Sequence, residues 1–400
     1  MDIPSNILKV RKILILSVPI IFAQLGNVLL GITDTIMVGK VGKAELAAVG
    51  LSNQIFFLVT VIGMGIMTAL TTLVASSKGA ENKKECGEFL RSGIELSLLI
   101  SLLIFVVLII ISYNFYIFAQ PEVINQMAGK YLRIMAVSVF PLLLFLSFKH
   151  FNDGISVSKP AMVITFIGVI ANVYFNWIFI YGNYTFPAFN TSGAAVATLL
   201  TRFLMAFLIV LYVFKSQASK NFLPPLISTY KTGPIIRKLV KIGLPTGFQV
   251  FFEVGAYSVA AVFAGWISLA ALAAHQIGMG LVAISYMIAS GLSAAGSVLV
   301  GHSFGRRNGE EIKSIGISSL LTTGMFMVLT SVVFLFMKDE ILMVFTNETE
   351  VLDIAGTLFL VLVVYQFFNG IQATLTGILR GVHDVFFPAK FTLFSSVNNY

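Results

Sequence analysis

Apolar residues along this chain gather in long runs, separated by short stretches that collect charges, proline and glycine. A helix needs roughly 20 apolar residues to cross about 30 Å of hydrocarbon. Ten complete runs of that length begin near Ile13, Leu46, Phe89, Tyr131, Pro160, Ser192, Leu239, Ile277, Ile312 and Ile354, and an eleventh starts at Pro388 and meets the end of the sequence at Tyr400. The first, from about Ile13 to Val38, is too long for a signal-peptide core and has no small-x-small cleavage site, so it reads as a spanning helix. The predicted fold class is all-α, a polytopic membrane helix bundle.

Composition strengthens that picture. Of 400 residues, 57% are hydrophobic and 11% charged, against about 25% charged in a soluble domain. Mean hydropathy is +0.93. Lipid has to cover so much apolar surface. The net charge of +8 lies in alternate loops and not in one patch, which excludes a nucleic-acid partner. Lys9, Arg11 and Lys12 precede the first run; Lys78, Lys83 and Lys84 join the second and third; Lys149 and Lys159 lie between the fourth and fifth. The longest connection holds Lys215, Lys220, Lys231, Arg237 and Lys238; Arg306, Arg307 and Lys313 follow the eighth run, and Arg380 and Lys390 the tenth. The other loops are poorer in basic residues, Lys40, Lys43 and Lys338 being the main exceptions. By the positive-inside rule the N-terminus is cytoplasmic. The single Cys86 cannot form an internal disulfide and reads as a bystander thiol in a charged loop.

An internal repeat is the most informative feature. Pro19 and Pro245 stand 226 positions apart, and the same offset pairs Gly39 with Gly265, Gly65 with Gly291, Ser77 with Ser303, Gly79 with Gly305, Asn82 with Asn308 and Glu85 with Glu311. Six helices separate the copies, so the halves share one orientation and form parallel repeats about an axis along the membrane normal. The expected division is an N-lobe over 1–218, a cytoplasmic linker over 219–237 carrying Pro224-Pro225, and a C-lobe over 238–400. Two six-helix halves make twelve helices. Ten complete ones and part of an eleventh are present, so the sequence is expected to be truncated at its C-terminus.

A charge inside a spanning run costs about 2.5–3.5 kcal/mol on insertion scales, which makes each one a functional candidate. Of the 18 acidic residues most fall in loops or at helix ends; Glu95 sits about two turns into the third run, and Asp153 ends the fourth. Two remain inside: Asp34, late in the first run, and Glu253, past the middle of the seventh. Each belongs to the first helix of its half. A carboxylate among apolar side chains favours its protonated form, and a bound cation favours the ionised one. Such a group takes a proton, Na⁺ or a cationic solute in competition, which is the minimum for antiport. Polar residues stand at matching depths: Asn172 and Asn176 on one face of the fifth helix, Thr198 in the sixth, Tyr365 and Asn369 on one face of the tenth. A tyrosine also offers its ring face to a cation. Taken singly, each of these polar residues reads first as a packing contact between helices; taken with the carboxylates, they read better as two sites, one per lobe. Asp34 alone fits an interfacial carboxylate, and Glu253 an interhelical hydrogen bond. Pro19 and Pro245 each remove a backbone hydrogen bond, predicting a kink that serves packing or bends with site occupancy.

Other chemistries lack their residues. There is no G-x-x-x-x-G-K-[ST] loop for a nucleotide, the four histidines have no metal spacing, and no nucleophile elbow or Cys/His pair points to catalysis. The expectation is a protein that is not an enzyme.

With these residues in place, the sequence resembles the multidrug and toxic compound extrusion family, in its NorM-like branch, over its whole length. The likeness is carried by Pro19 with Thr33-Asp34-Thr35-Ile36-Met37-Val38-Gly39, by Asn172-Val173-Tyr174-Phe175-Asn176, and by Gly193-Ala194-Ala195 before Thr198. The second half adds Gly243-Leu244-Pro245, Phe251-Phe252-Glu253, Ala273-Ala274-His275-Gln276 and Gly377-Ile378-Leu379-Arg380-Gly381. The resemblance implies twelve helices in two lobes around a central cleft, exporting drug-like cationic or amphipathic compounds by Na⁺ or H⁺ antiport, without a cofactor. Asp34 matches the family's first-helix carboxylate, with Asn172, Asn176 and Thr198 as its partners. Glu253 matches the glutamate that marks this branch, and Tyr365 the aromatic of the C-lobe cation site. Na⁺ is thus expected at Glu253, Tyr365 and Asn369, or at Asp34 and Asn176. The helix-10 position that usually carries an aspartate is Asn369 here, which leaves the C-lobe one carboxylate fewer and shifts weight to Asp34. A flippase for lipids or lipid-linked oligosaccharides shares this architecture, but a cleft that holds phosphate should be cationic, and the deep ionisable groups here are expected to be acidic. The protein is expected to be a monomer, multi-pass in the inner (plasma) membrane.

Overall fold

The structure, a computed structural model, describes residues 3–223, 232–346 and 348–391. Among these there are thirteen α-helices up to Gly381, a further helical stretch over 386–391, one short 3₁₀ turn over Phe115–Phe118, and no strand. In the first half these are α1 (Ile3–Gly39), α2 (Lys43–Gly79), α3 (Lys83–Tyr113), α4 (Glu122–Val137), α5 (Val139–Gly154), α6 (Lys159–Tyr181), α7 (Asn190–Lys215) and the four-residue α8 (Gln217–Lys220). The second half has α9 (Thr232–Ile267), α10 (Leu269–Gly305), α11 (Gly309–Phe336), the short α12 (Lys338–Phe345) and α13 (Thr349–Gly381). Among the described residues nine helices are long and apolar enough to cross a membrane, ten when α4 and α5 count as one bent span. The all-α reading stands. The eleventh run is helical over 386–391; its remainder, like Pro224-Pro225 of the linker, lies outside the described residues.

Helices begin earlier than the apolar runs suggested: α2 at Lys43 and not Leu46, α3 at Lys83 and not Phe89, α10 at Leu269 and not Ile277. Caps account for part of this. The Asn82 side chain accepts from Glu85 N at 3.1 Å, Asn308 from Glu311 N at 3.1 Å and Ser268 from Ala271 N at 2.9 Å, so a helix starts where its orphan amides find an acceptor, charged first turn included. Cys86 is one consequence. It is a buried residue of α3 and not a loop thiol.

The fourth span is broken. Pro141 has no amide hydrogen to give the Val137 carbonyl one turn back, so the ladder fails there and α4 meets α5 at 41° across Ser138. Ser138 N bonds Met135 O at 3.0 Å instead.

The 226-residue offset reappears in the backbone. α2 and α10 start at Lys43 and Leu269 and end at Gly79 and Gly305; α3 and α11 start at Lys83 and Gly309. The turns between them match as well: Glu81 (φ 58°) and Arg307 (φ 57°) are both left-handed, and Asn82 N bonds Ser77 O at 2.9 Å as Asn308 N bonds Ser303 O at 3.0 Å.

The chain forms two compact units, one of Met1–Ile21 with Gln249–Tyr400 and one of Phe22–Phe248. α1 and α9 therefore each contribute to both. In the larger unit α2 packs on α3, α4 and α5, and α6 on α7. Gly65 of α2 abuts Gly247 of α9, and Gly243, one turn earlier, abuts Ile66. Small residues one turn apart let backbones approach in a medium where apolar burial gives no drive. In the other unit α10 packs on α11 and α13, and Gly377 and Gly381 set α13 against Ser293 and Ser297. Tyr131, Phe89, Leu90, Leu132 and Phe151 are fully buried, whereas Leu98, Leu99, Leu102, Leu103 and Ile110 of α3 are exposed, as a lipid-facing surface requires.

Candidate functional site

In the larger unit Asp34 lies five residues before the end of α1 and is 4% exposed. Its Oδ1 accepts from Asn176 Nδ2 at 2.7 Å and its Oδ2 from Thr198 Oγ1 at 2.6 Å. Asn172, one turn from Asn176 on α6, accepts a second Asn176 bond at 3.1 Å. Three helices thus converge on one carboxylate, and the structure brings together all four residues singled out for this half. Two amide atoms stay without a partner, Asn176 Oδ1 and Asn172 Nδ2. No arginine or lysine pairs directly with Asp34 among the described residues. A carboxylate, two amides and a hydroxyl form an oxygen-rich set of the kind hard cations take, and the orphaned Asn176 oxygen fits such an ion.

In the other unit Glu253 is half-buried on α9. Tyr257, one turn on, donates to Glu253 Oε1 at 3.2 Å and shares a 2.8 Å hydrogen bond with the Tyr365 hydroxyl of α13. Tyr365 therefore reaches Glu253 through Tyr257. Asn369 is buried one turn from Tyr365, and among the described residues it bonds to neither. Pro19 and Pro245 lie inside α1 and α9, a few residues before the points where those helices pass between units.

Glu95 and Asp153 are held in ion pairs. Glu95 pairs with Arg91 at 3.3 Å on a partly exposed surface. Asp153 pairs with Lys149 at 2.9 Å in a buried bridge.

The family model MatE matches residues 19–178 and again 245–400, so each half matches by itself, starting at Pro19 and at Pro245. The chain belongs to the MatE family. It is a multi-pass membrane protein of a transporter family, not an enzyme. A probable multidrug resistance protein NorM of Pasteurella multocida (strain Pm70) is 29% identical over 395 residues, covering 98% of this chain and 85% of the relative. The multidrug resistance protein NorM of Vibrio vulnificus (strain YJ016) is 31% identical over 382 residues, covering 92% and 81%. Among solved structures, an outward-facing multidrug resistance MATE transporter of the MOP superfamily superposes with a TM-score of 0.87 at 20% identity, covering 97% of this chain and 86% of that one. The eukaryotic MATE transporter AtDTX14 gives 0.86 at 17%, covering 96% and 85%. These likenesses show that the MatE chain shares their fold.

Sequence reasoning missed Tyr257, Tyr131 and Arg202 around the two acids. Spacing held the signal for two of them: Tyr257 stands four residues after Glu253, and Arg202 four after Thr198, in the middle of the 26-residue α7. The expectation that the deep ionisable groups are acidic fails at Arg202, a cation in the middle of a spanning helix, tied to the buried Ser138.

Proposed function

We propose that this MatE protein is a secondary multidrug efflux transporter, exporting organic cations or amphipathic drugs in exchange for Na⁺ or H⁺. The observation that carries the reading is Asp34: a carboxylate at membrane depth, bonded on both oxygens by neutral donors, with an unpartnered amide oxygen beside it. Such a group is poised to hold one monovalent cation or proton and to release it when another arrives. Glu253 with Tyr257, Tyr365 and Asn369 forms the second site, able to place a carboxylate and aromatic faces against a cationic solute. The names of the NorM relatives, each a multidrug resistance protein, support the drug class. Lobes over 1–218 and 238–400 alternate access, with Pro19 and Pro245 as bending points, and the protein works as a monomer in the inner membrane with its N-terminus cytoplasmic.

The test is dye efflux from proteoliposomes holding the purified protein, with Na⁺ and pH gradients imposed separately. Asp34→Asn and Glu253→Gln should each abolish cation-driven efflux at unchanged membrane levels. Full activity in both variants rejects the assignment.

A further inference from the structure

The larger unit carries a further charged side chain at membrane depth, in the middle of α7. Arg202 lies one turn beyond Thr198 on the same face of α7, so the helix that holds Asp34 Oδ2 also carries a guanidinium. That guanidinium does not touch Asp34. Its Nη1 donates to Ser138 Oγ at 2.5 Å, and its Cζ sits 4.7 Å from the centre of the Phe56 ring. Ser138 is fully buried at the break between α4 and α5, its hydroxyl donating in turn to Met135 O at 2.6 Å. On α4, the buried Tyr131 is held by Asn53 at 3.1 Å. The titratable and charged groups gathered here are Asp34 of α1, the uncharged phenol of Tyr131 on α4, and Arg202 of α7.

A guanidinium stays charged at any physiological pH and is costly at this depth unless something balances it. The carboxylate in reach is Asp34, yet its oxygens are occupied by Asn176 and Thr198, while the cation is tied to Ser138 and Phe56. Charge is balanced across one helical turn without contact.

We infer that Arg202 is the resident counter-charge of the Asp34 site, anchored by Ser138 and Phe56 so that it neutralises the carboxylate without taking the place of the transported cation. Arg202 is a positioning residue on this account, acting through Asp34. It sets how weakly the site holds its coupling ion, because an arriving cation meets a carboxylate already partly compensated. The inference rests on the reading of Asp34 as a coupling site.

The experiment varies Na⁺, and then H⁺, in proteoliposomes and reads the concentration that gives half-maximal dye efflux, separately from the maximal rate. Arg202→Met should lower that concentration about tenfold or more, since at an effective dielectric of about 20 a unit charge still shifts a carboxylate's cation affinity about tenfold from roughly 12 Å away, and should slow the maximal rate as release becomes harder. Arg202→Lys, which keeps the charge, should restore the wild-type value. Ser138→Ala removes the anchor, frees the guanidinium to pair with Asp34 directly, and should shift the concentration the opposite way, upward. That variant keeps the test alive should Arg202→Met fail to fold. Half-saturation within twofold of wild type in both Arg202→Met and Ser138→Ala overturns the inference, as does a shift of Ser138→Ala downward. If Asp34→Asn keeps its full cation dependence, the coupling reading fails first. If Asp34→Asn is inert and the other variants behave as wild type, only the role of Arg202 fails.

Discussion

Two substitutions at Asp34 should separate its structural from its functional weight. Asparagine keeps the shape. Its oxygen goes on accepting from Asn176 Nδ2, and its amide can donate to the Thr198 hydroxyl, which rotates to accept. Alanine instead orphans two donors, each already buried: Asn176 is 0% and Thr198 7% exposed. An unmade buried hydrogen bond costs about 1–3 kcal/mol, so Asp34→Ala should lose roughly 2–6 kcal/mol. Asp34→Asn exchanges two charge-assisted bonds for neutral ones but also relieves the burial of a charge, and should melt within about 1 kcal/mol of wild type. Both lose the negative charge, so both should lose cation-driven efflux. The assay pairs thermal unfolding of the purified protein with dye efflux under an imposed gradient. The reasoning is refuted if the two variants melt alike, or if Asp34→Asn transports at half the wild-type rate or better.

Three further outcomes are expected from the packing. Gly247→Leu should sharply reduce folded protein, since even a Cβ there would stand 2.6 Å from Ile62 O; overpacking costs about 1–3 kcal/mol or more, whereas Gly50→Ala, with open space around it, should be neutral in the same melting assay. Lys149→Met strands the buried Asp153 charge and should cost about 3–5 kcal/mol, most of it recovered in Lys149→Met/Asp153→Leu, as a double-mutant cycle will read. Tyr257→Phe cuts the path from Tyr365 to Glu253 and should lower efflux severalfold at unchanged protein level, with Tyr365→Phe the milder of the two.

Much of this was legible in the residues because the bilayer allows few solutions. Runs of apolar side chains marked the spans, and scarcity of charge at depth picked out Asp34 and Glu253 directly. Their N-half partners were also readable, since Asn172 and Asn176 share a helix face and Thr198 stands at a matching depth. The break at Ser138 was not read, although Pro141 carried the signal: an unbroken apolar run hides a missing hydrogen bond. Helix starts were placed late because capped first turns are charged, and hydropathy registers only the apolar turns beyond them. Tyr257 was passed over because a tyrosine in an apolar run is ordinarily packing, and only the 2.8 Å approach of Tyr365 distinguishes it. The close approach of α2 to α9 at Gly65, Gly243 and Gly247 is a property of pairs that no single run contains.

The matched turns after α2 and α10 have a consequence for how such proteins diverge. Left-handed backbone costs a residue with a Cβ about 1–2 kcal/mol, yet the position is glutamate in one copy and arginine in the other. The neighbouring side chains have also been reassigned: Glu85 accepts from Ser77 in the first turn, while Glu311 accepts from Arg306 in the second. What both turns share is the course of the main chain with its serine, glycine, asparagine and capped glutamate, while the charge at the left-handed position itself differs in sign. A cassette of residues 77–85 exchanged for 303–311 should accordingly seat itself in either half, and a glycine at position 81 or 307 should be welcome in both.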